Sequence, residues 1–250
     1  MRNHERRPAL AGLWVFALTF GWIEASVVVY LREVYLREMS LPETGYFEGL
    51  QITLVSLPNR LVVLEMVREA CTIFSLGAVA WLAGDRPRDR AGAFLVSFGI
   101  WDLTYYGALK LVTGWPDSSS TWDILFLIPL PWVAPVWAPV TVATILTVAG
   151  TFLFWTPERE RPYRWPDVGV LAASAFLTIA AFLAESGAAI DHRVPVRFPL
   201  WLFWAGVVLG TGWFLNVELR VAGRRDRNGG TGRHVDSRAS TAVSFGDRAP

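Results

Sequence analysis

Six stretches of the chain run apolar for about twenty residues each, the length a helix needs to cross the hydrocarbon core of a bilayer. They are Ala9–Leu31, Leu61–Ala83, Ala91–Val112, Trp132–Trp155, Val168–Ile190 and Leu200–Val221. Short charged runs rich in turn residues separate several of them. Gly84-Asp85-Arg86-Pro87-Arg88-Asp89-Arg90 and Thr156-Pro157-Glu158-Arg159-Glu160-Arg161-Pro162 combine helix breakers with charge and read as tight turns. The pattern predicts an all-α polytopic integral membrane protein, a six-transmembrane-helix bundle over residues 1–222.

Two stretches depart from that pattern. Leu41–Pro58 mixes Phe47, Leu50, Ile52 and Leu54 with Glu43, Glu48 and Gln51 and is too short to cross, so an interfacial or re-entrant segment is expected there. Ile124–Pro139 holds four prolines, and a regular helix does not run through Pro129, Pro131 and Pro135. A Pro-broken or extended piece is therefore expected before the fourth helix. From residue 223 to 250 the chain turns to Arg, Gly, Ser and Asp, the composition of a disordered tail.

Composition supports the bilayer as solvent, because 53% of the 250 residues are hydrophobic and 13 are Trp. The net charge of +1 is uninformative, but its placement is not. Sixteen of the 23 Lys and Arg residues lie on the side of the two termini, whereas five (Arg32, Arg37, Arg60, Arg193, Arg197) lie on the opposite side. Basic residues stay preferentially in the cytoplasm, which predicts a multi-pass protein of the cytoplasmic (inner) membrane with both termini cytoplasmic. The first apolar stretch follows Arg2, Arg6 and Arg7 as a signal peptide would, yet it is long and ends in Val-Val-Val-Tyr-Leu without a small-residue cleavage site, so it reads as a retained anchor. The single cysteine, Cys71, forms no disulfide within the chain and no Cys-based zinc site.

Ionisable side chains at bilayer depth cost about 2.5–3.5 kcal/mol each even on lenient scales, so those that occur face an interior or a cavity. The candidates are Glu24 in the first span, Glu65, Arg68 and Glu69 in the second, Asp102, Tyr106 and Lys110 in the third and Glu185 in the fifth, with Asp123 and His192 as lesser ones. Given the orientation, these groups sort to the outer half of the membrane, with Asp102 near the middle. Three- and four-residue spacing aligns Glu65, Arg68, Glu69 and Thr72 on one face, Asp102, Tyr105, Tyr106 and Lys110 on another, and Ser174, Thr178, Ala181 and Glu185 on a third. A polar interior shared by three helices and open to the extracytoplasmic side is the expectation.

The residue types limit the chemistry. His192 is the only histidine outside the terminal arms, which excludes a zinc site built on several histidines and haem held by two. No cofactor is predicted, although the carboxylates leave room for an oxygen-ligated divalent cation. There is no glycine-rich phosphate loop, and the basic tail lacks the aromatics of a nucleic-acid binder. The expected partners are therefore the lipid bilayer and a small solute or lipid ligand, with a homo-oligomer compatible and nucleic acid excluded. Three functions fit: binding or transport of a cation, proton or small polar solute; carboxylate acid–base catalysis on a lipid or isoprenoid, with Arg68 holding the headgroup; or a structural or assembly subunit whose charges serve packing.

Overall fold

A computed structural model describes residues 3–39, 59–156, 163–191, 195 and 197–239. The elements in chain order are α1 (Asn3–Met39), α2 (Asn59–Ala83), α3 (Pro87–Thr113), β1 (Trp122–Phe126), β2 (Trp132–Pro135), α4 (Trp137–Trp155), α5 (Trp165–Leu183), α6 (Ser186–Ile190) and α7 (Leu200–Ala239). Four segments, Arg6–Leu31, Trp137–Trp155, Trp165–Ile190 and Leu200–Arg220, are long and apolar enough to cross a membrane. Helices α2 and α3 have the length, at 25 and 27 residues, but carry the charged side chains that lower their apolarity. Large apolar residues nonetheless point outward on them as on the others. Leu64, Phe74 and Leu82 of α2 and Leu111 of α3 are exposed in the same way as Val15 of α1, Phe176 of α5 and Leu219 of α7. A soluble monomer rarely exposes so continuous an apolar surface.

Local signals set the helix ends. Pro87 opens α3, where its missing N–H costs nothing, and Gly114 closes it in the left-handed region at φ 78°, its N–H donating to the Lys110 carbonyl. The N-terminus of α5 is closed by the Asp167 carboxylate accepting from the Arg164 N–H at 3.0 Å.

Helices α1, α3 and α4 pack closely, with α2 laid against α3, while α5 and α7 form a second pair. Glycine lets two of these contacts form. A Cβ on Gly150 of α4 would lie 2.6 Å from the Val96 nitrogen and 2.7 Å from the Gly92 oxygen of α3, so the backbones meet directly. On α5, Ser174 and Thr178 are buried against Gly206 and Gly210 of α7, and the Ser174 hydroxyl donates to the Gly206 carbonyl at 2.8 Å.

Buried and half-buried ion pairs tie the bundle together at the end where α1, α3 and α5 begin. Arg6 donates to Asp89 at 2.9 Å and to the Phe154 carbonyl at the end of α4. Arg88 grips Glu218 of α7 through both carboxylate oxygens, at 2.8 and 3.1 Å, and Tyr163 donates to the same group. Arg220 donates to Asp167 at 2.8 Å. Three arginines at this end also lie over tryptophan rings: Arg90 over Trp81, Arg7 over Trp155 and Arg220 over Trp213. Breaking the Arg6–Asp89 pair from one side strands a buried charge, so Arg6→Met is expected to destabilise the fold by about 3–5 kcal/mol, seen as a lowered thermal transition in detergent. The double variant Arg6→Met/Asp89→Leu should recover most of that loss. Equal transitions for Arg6→Met and the parent would show that the pair contributes no stability.

Several expectations need correction. The fold is mostly helical, as expected of an all-α chain, and the proline-rich stretch, where a broken or extended piece is expected, folds as an antiparallel β1–β2 hairpin with pairs from Trp122–Pro135 to Phe126–Trp132 and a bulge near Ile124. Pro129 and Pro131 fall in its turn and Pro135 at its last pair, positions where a missing donor breaks no ladder hydrogen bond. The fourth helix consequently starts at Trp137 and not at 132. The fifth span reaches Ile190 as expected, but its helix is interrupted after Leu183, where the Ser186 hydroxyl donates to the Leu183 carbonyl at 2.7 Å and the chain turns into the short α6. Backbone helix continues through residue 223 to Ala239 where a disordered tail is expected; extending a formed helix needs no new nucleus, and Arg is a good helix former. The segment 41–58 and residues 240–250 lie outside the described residues.

Candidate functional site

At the other end of the bundle the charged residues of α1, α2 and α3 meet the hairpin around one cavity of about 50 Å³. On α1, Glu24 lies eighteen residues beyond Arg6, about 27 Å along the helix axis. Helix α1 contributes Glu24, Val28 and Leu31, and α2 contributes Glu65, Arg68 and Glu69. From α3 come Trp101, Asp102, Tyr105 and Tyr106, and the hairpin closes the wall with Asp123, Ile124, Leu125 and Leu127. Five carboxyl groups thus surround a space with one guanidinium.

The helices deliver these groups through spacing and close approach. Glu65, Arg68, Glu69 and Thr72 recur at three and four residues and turn one face of α2 toward α1 and the hairpin. Gly21 brings α1 onto α3, since a Cβ there would stand 2.5 Å from the Trp101 carbonyl oxygen.

Four of the five carboxyls have assigned partners. Arg68 holds Glu65 through both oxygens, with Nε donating to Oε2 at 2.9 Å, and its Nη1 donates to Glu24. Thr72 donates to the other oxygen of Glu24 at 3.3 Å. Glu69 is buried and accepts the backbone N–H of Leu127 on both oxygens, at 2.8 and 3.1 Å. The Tyr106 hydroxyl donates to Asp123 Oδ2 at 2.9 Å, and both of these side chains are buried. Asp102, half-buried in the cavity wall, receives no hydrogen bond from the described residues. Its neighbour Trp101 is 4% exposed, and the indole Nε1 is buried with no hydrogen-bond partner among the described residues.

The structure therefore gathers Glu24, Glu65, Arg68, Glu69, Asp102 and Tyr106, and adds Asp123, a lesser candidate on sequence grounds. Lys110 and Glu185 lie elsewhere. Lys110 is exposed and donates to the carbonyls of Gly114 and Pro116, both at 2.7 Å, fastening the turn after α3. Each four-residue step drifts about 40° around a helix, so Lys110, two steps beyond Asp102, has rotated off its face. Glu185 follows the end of α5, where its backbone carbonyl accepts from Ala188 and Ala189. The polar stripe of α5 does not reach a common interior, since Ser174 and Thr178 are spent on packing with α7. His192 lies outside the described residues.

Sequence reasoning missed the Leu127 N–H and the hairpin that carries it. A backbone donor leaves no mark in a sequence, although the run of prolines did single out its neighbourhood. No group of three or more His, Cys, Asp and Glu side chains among the described residues is arranged to hold a metal ion. Compared with known protein families, curated proteins and solved structures, the chain matches none.

Proposed function

We propose that this is a six-span protein of the inner membrane, with cytoplasmic termini, whose acidic cavity takes up a proton or small monovalent cation from the extracytoplasmic side. The observation that carries the reading is Asp102, a carboxyl group in a cavity wall with no hydrogen-bond partner among the described residues. Its surroundings favour a positive guest, because carboxyl groups outnumber the guanidinium five to one around the same space. Room for one water takes roughly 10–15 Å³, so a cavity of about 50 Å³ suits a few water-sized species.

The same geometry weakens the lipid-enzyme alternative, in which Arg68 holds a headgroup. That guanidinium is engaged by Glu24 and Glu65 and has little left to offer an anion. A divalent cation is also less well served than a proton, since such an ion takes several oxygen ligands and four of the carboxyls are already engaged. Those engagements are the one observation that favours a second reading, a structural subunit in which the acids serve packing; Asp102 is the residue that this reading leaves unexplained.

The test is ion flux into liposomes carrying the purified protein, followed with a pH-sensitive dye in the lumen and repeated under Na⁺ and K⁺ gradients. Protein-dependent flux of protons or of one of these cations is expected. Flux no greater than in protein-free liposomes under all three gradients overturns the proposal and leaves the structural reading.

A further inference from the structure

Of the acids in the cavity wall, Glu69 stands apart because its partner is a backbone amide. Leu127 follows β1, one residue beyond the last ladder pair, Phe126–Trp132, and two residues before Pro129. At that point the ladder no longer supplies an acceptor, while Leu127 is buried at 6% exposure, so its N–H needs a partner from outside the hairpin. Glu69 supplies it from α2 with both oxygens. On its far side the hairpin is fastened by the Ser186 hydroxyl donating to the Pro131 carbonyl at 2.6 Å and by Trp132 stacked on Phe182. Asp123 sits four residues before Leu127 on the same strand, roughly 13 Å away at strand rise, so whatever fixes one end of the strand fixes where Asp123 meets Tyr106.

We infer that Glu69 is a positioning residue, which clamps the hairpin to α2 through Leu127, thereby holds Asp123 in the cavity wall, and does not itself carry the transported ion. The inference rests on the proposed function for its last clause, but the clamp stands on geometry alone. Accepting a backbone N–H requires an oxygen and no charge, so a glutamine at this position does the same work, whereas an ion carrier needs the ionisable carboxyl.

The experiment compares Glu69→Gln and Glu69→Leu with the parent protein in lipid nanodiscs and liposomes, reading hydrogen exchange of the Leu127 amide and ion flux. In Glu69→Gln, exchange at Leu127 is expected to stay within about twofold of the parent, and flux to persist above that of protein-free liposomes with one fewer carboxyl around the cavity. In Glu69→Leu, exchange should accelerate on the order of tenfold or more, the size of leaving a buried backbone donor unsatisfied, and flux should fall about tenfold. Loss of flux in Glu69→Gln with Leu127 still protected would make Glu69 an ion carrier and overturn the inference. Unprotected Leu127 in Glu69→Gln overturns it too, so the outcome does not depend on whether the leucine variant folds. A parent protein without flux sinks the proposed function alone, because exchange still decides the clamp.

Discussion

Asp102→Asn is expected to cut ion flux by on the order of a hundredfold or more, to the level of protein-free liposomes, while leaving the folded protein intact. A positioned proton-transfer group contributes about 10²–10⁴-fold, and an amide of the same shape neither binds a proton at ordinary pH nor attracts a cation. The fold should tolerate the change because no hydrogen bond to Asp102 from the described residues is lost, and a neutral amide is easier to bury than an unpaired carboxylate. The effect thus separates from those at the paired acids: Asp123→Asn also disturbs Tyr106, and Glu24→Gln also disturbs Arg68 and Thr72. Flux and thermal transition are measured on the same preparation. Unchanged flux in Asp102→Asn would remove the one observation that distinguishes an ion site from a set of packing charges.

Gly150→Leu should prevent the bundle from assembling. The added Cβ would lie 2.6 Å from the Val96 nitrogen, 2.7 Å from the Gly92 oxygen and 2.8 Å from the Leu95 Cβ, and two of these three atoms are backbone of α3 that has no rotamer to escape into. Overpacking a tight core commonly costs 1–3 kcal/mol, roughly. Here the whole of α4 must move away from α3, so the loss should exceed that range. The hairpin runs directly into α4 at Trp137 and would be displaced with it, taking Asp123 and Leu127 from the cavity. Gly107→Leu is the matched control, since a Cβ there meets nothing within 4 Å and the position faces outward. Monodisperse yield from the membrane fraction and thermal transition in detergent are the readouts. If both variants behave like the parent, the close α3–α4 contact is not what holds the helices together.

The residues that reach the cavity show how far a sequence carries the description. Glu65, Arg68, Glu69 and Thr72 could be placed on one face because helical spacing is a local property, and they do turn together toward α1 and the hairpin. Extending the same rule over two steps failed for Lys110, where the drift of the helix moved the side chain off the face and the loop carbonyls of Gly114 and Pro116 captured it. It failed for Glu185 because the helix ended two residues earlier, stopped by Ser186 in a contact with the hairpin turn 55 residues away. Asp123 was undervalued for a related reason. It reaches the cavity through the strand, and the proline pattern pointed to a broken or extended piece without showing which residues would pair across it.

The sequence by itself determined that the chain is mostly helical and apolar enough to cross a membrane, although it predicted six spans where four helices have the length and apolarity for one, and it placed Glu65, Arg68 and Glu69 on one helix face. These are sums over neighbouring residues: transfer to lipid, cost of a buried charge and helical phase each accumulate along the chain without reference to a partner. What only the tertiary structure decided is which acid is satisfied and by what. Glu24 meets Arg68 across 44 residues and Glu69 meets a backbone N–H across 58, and a hydrogen bond acts over about 3 Å, so neither pairing exists until the helices and the hairpin are packed. That packing engages Glu24, Glu69 and Asp123, Glu65 pairs with Arg68 inside its own helix, and Asp102 is left, alone among the cavity acids within the described residues, without a hydrogen bond.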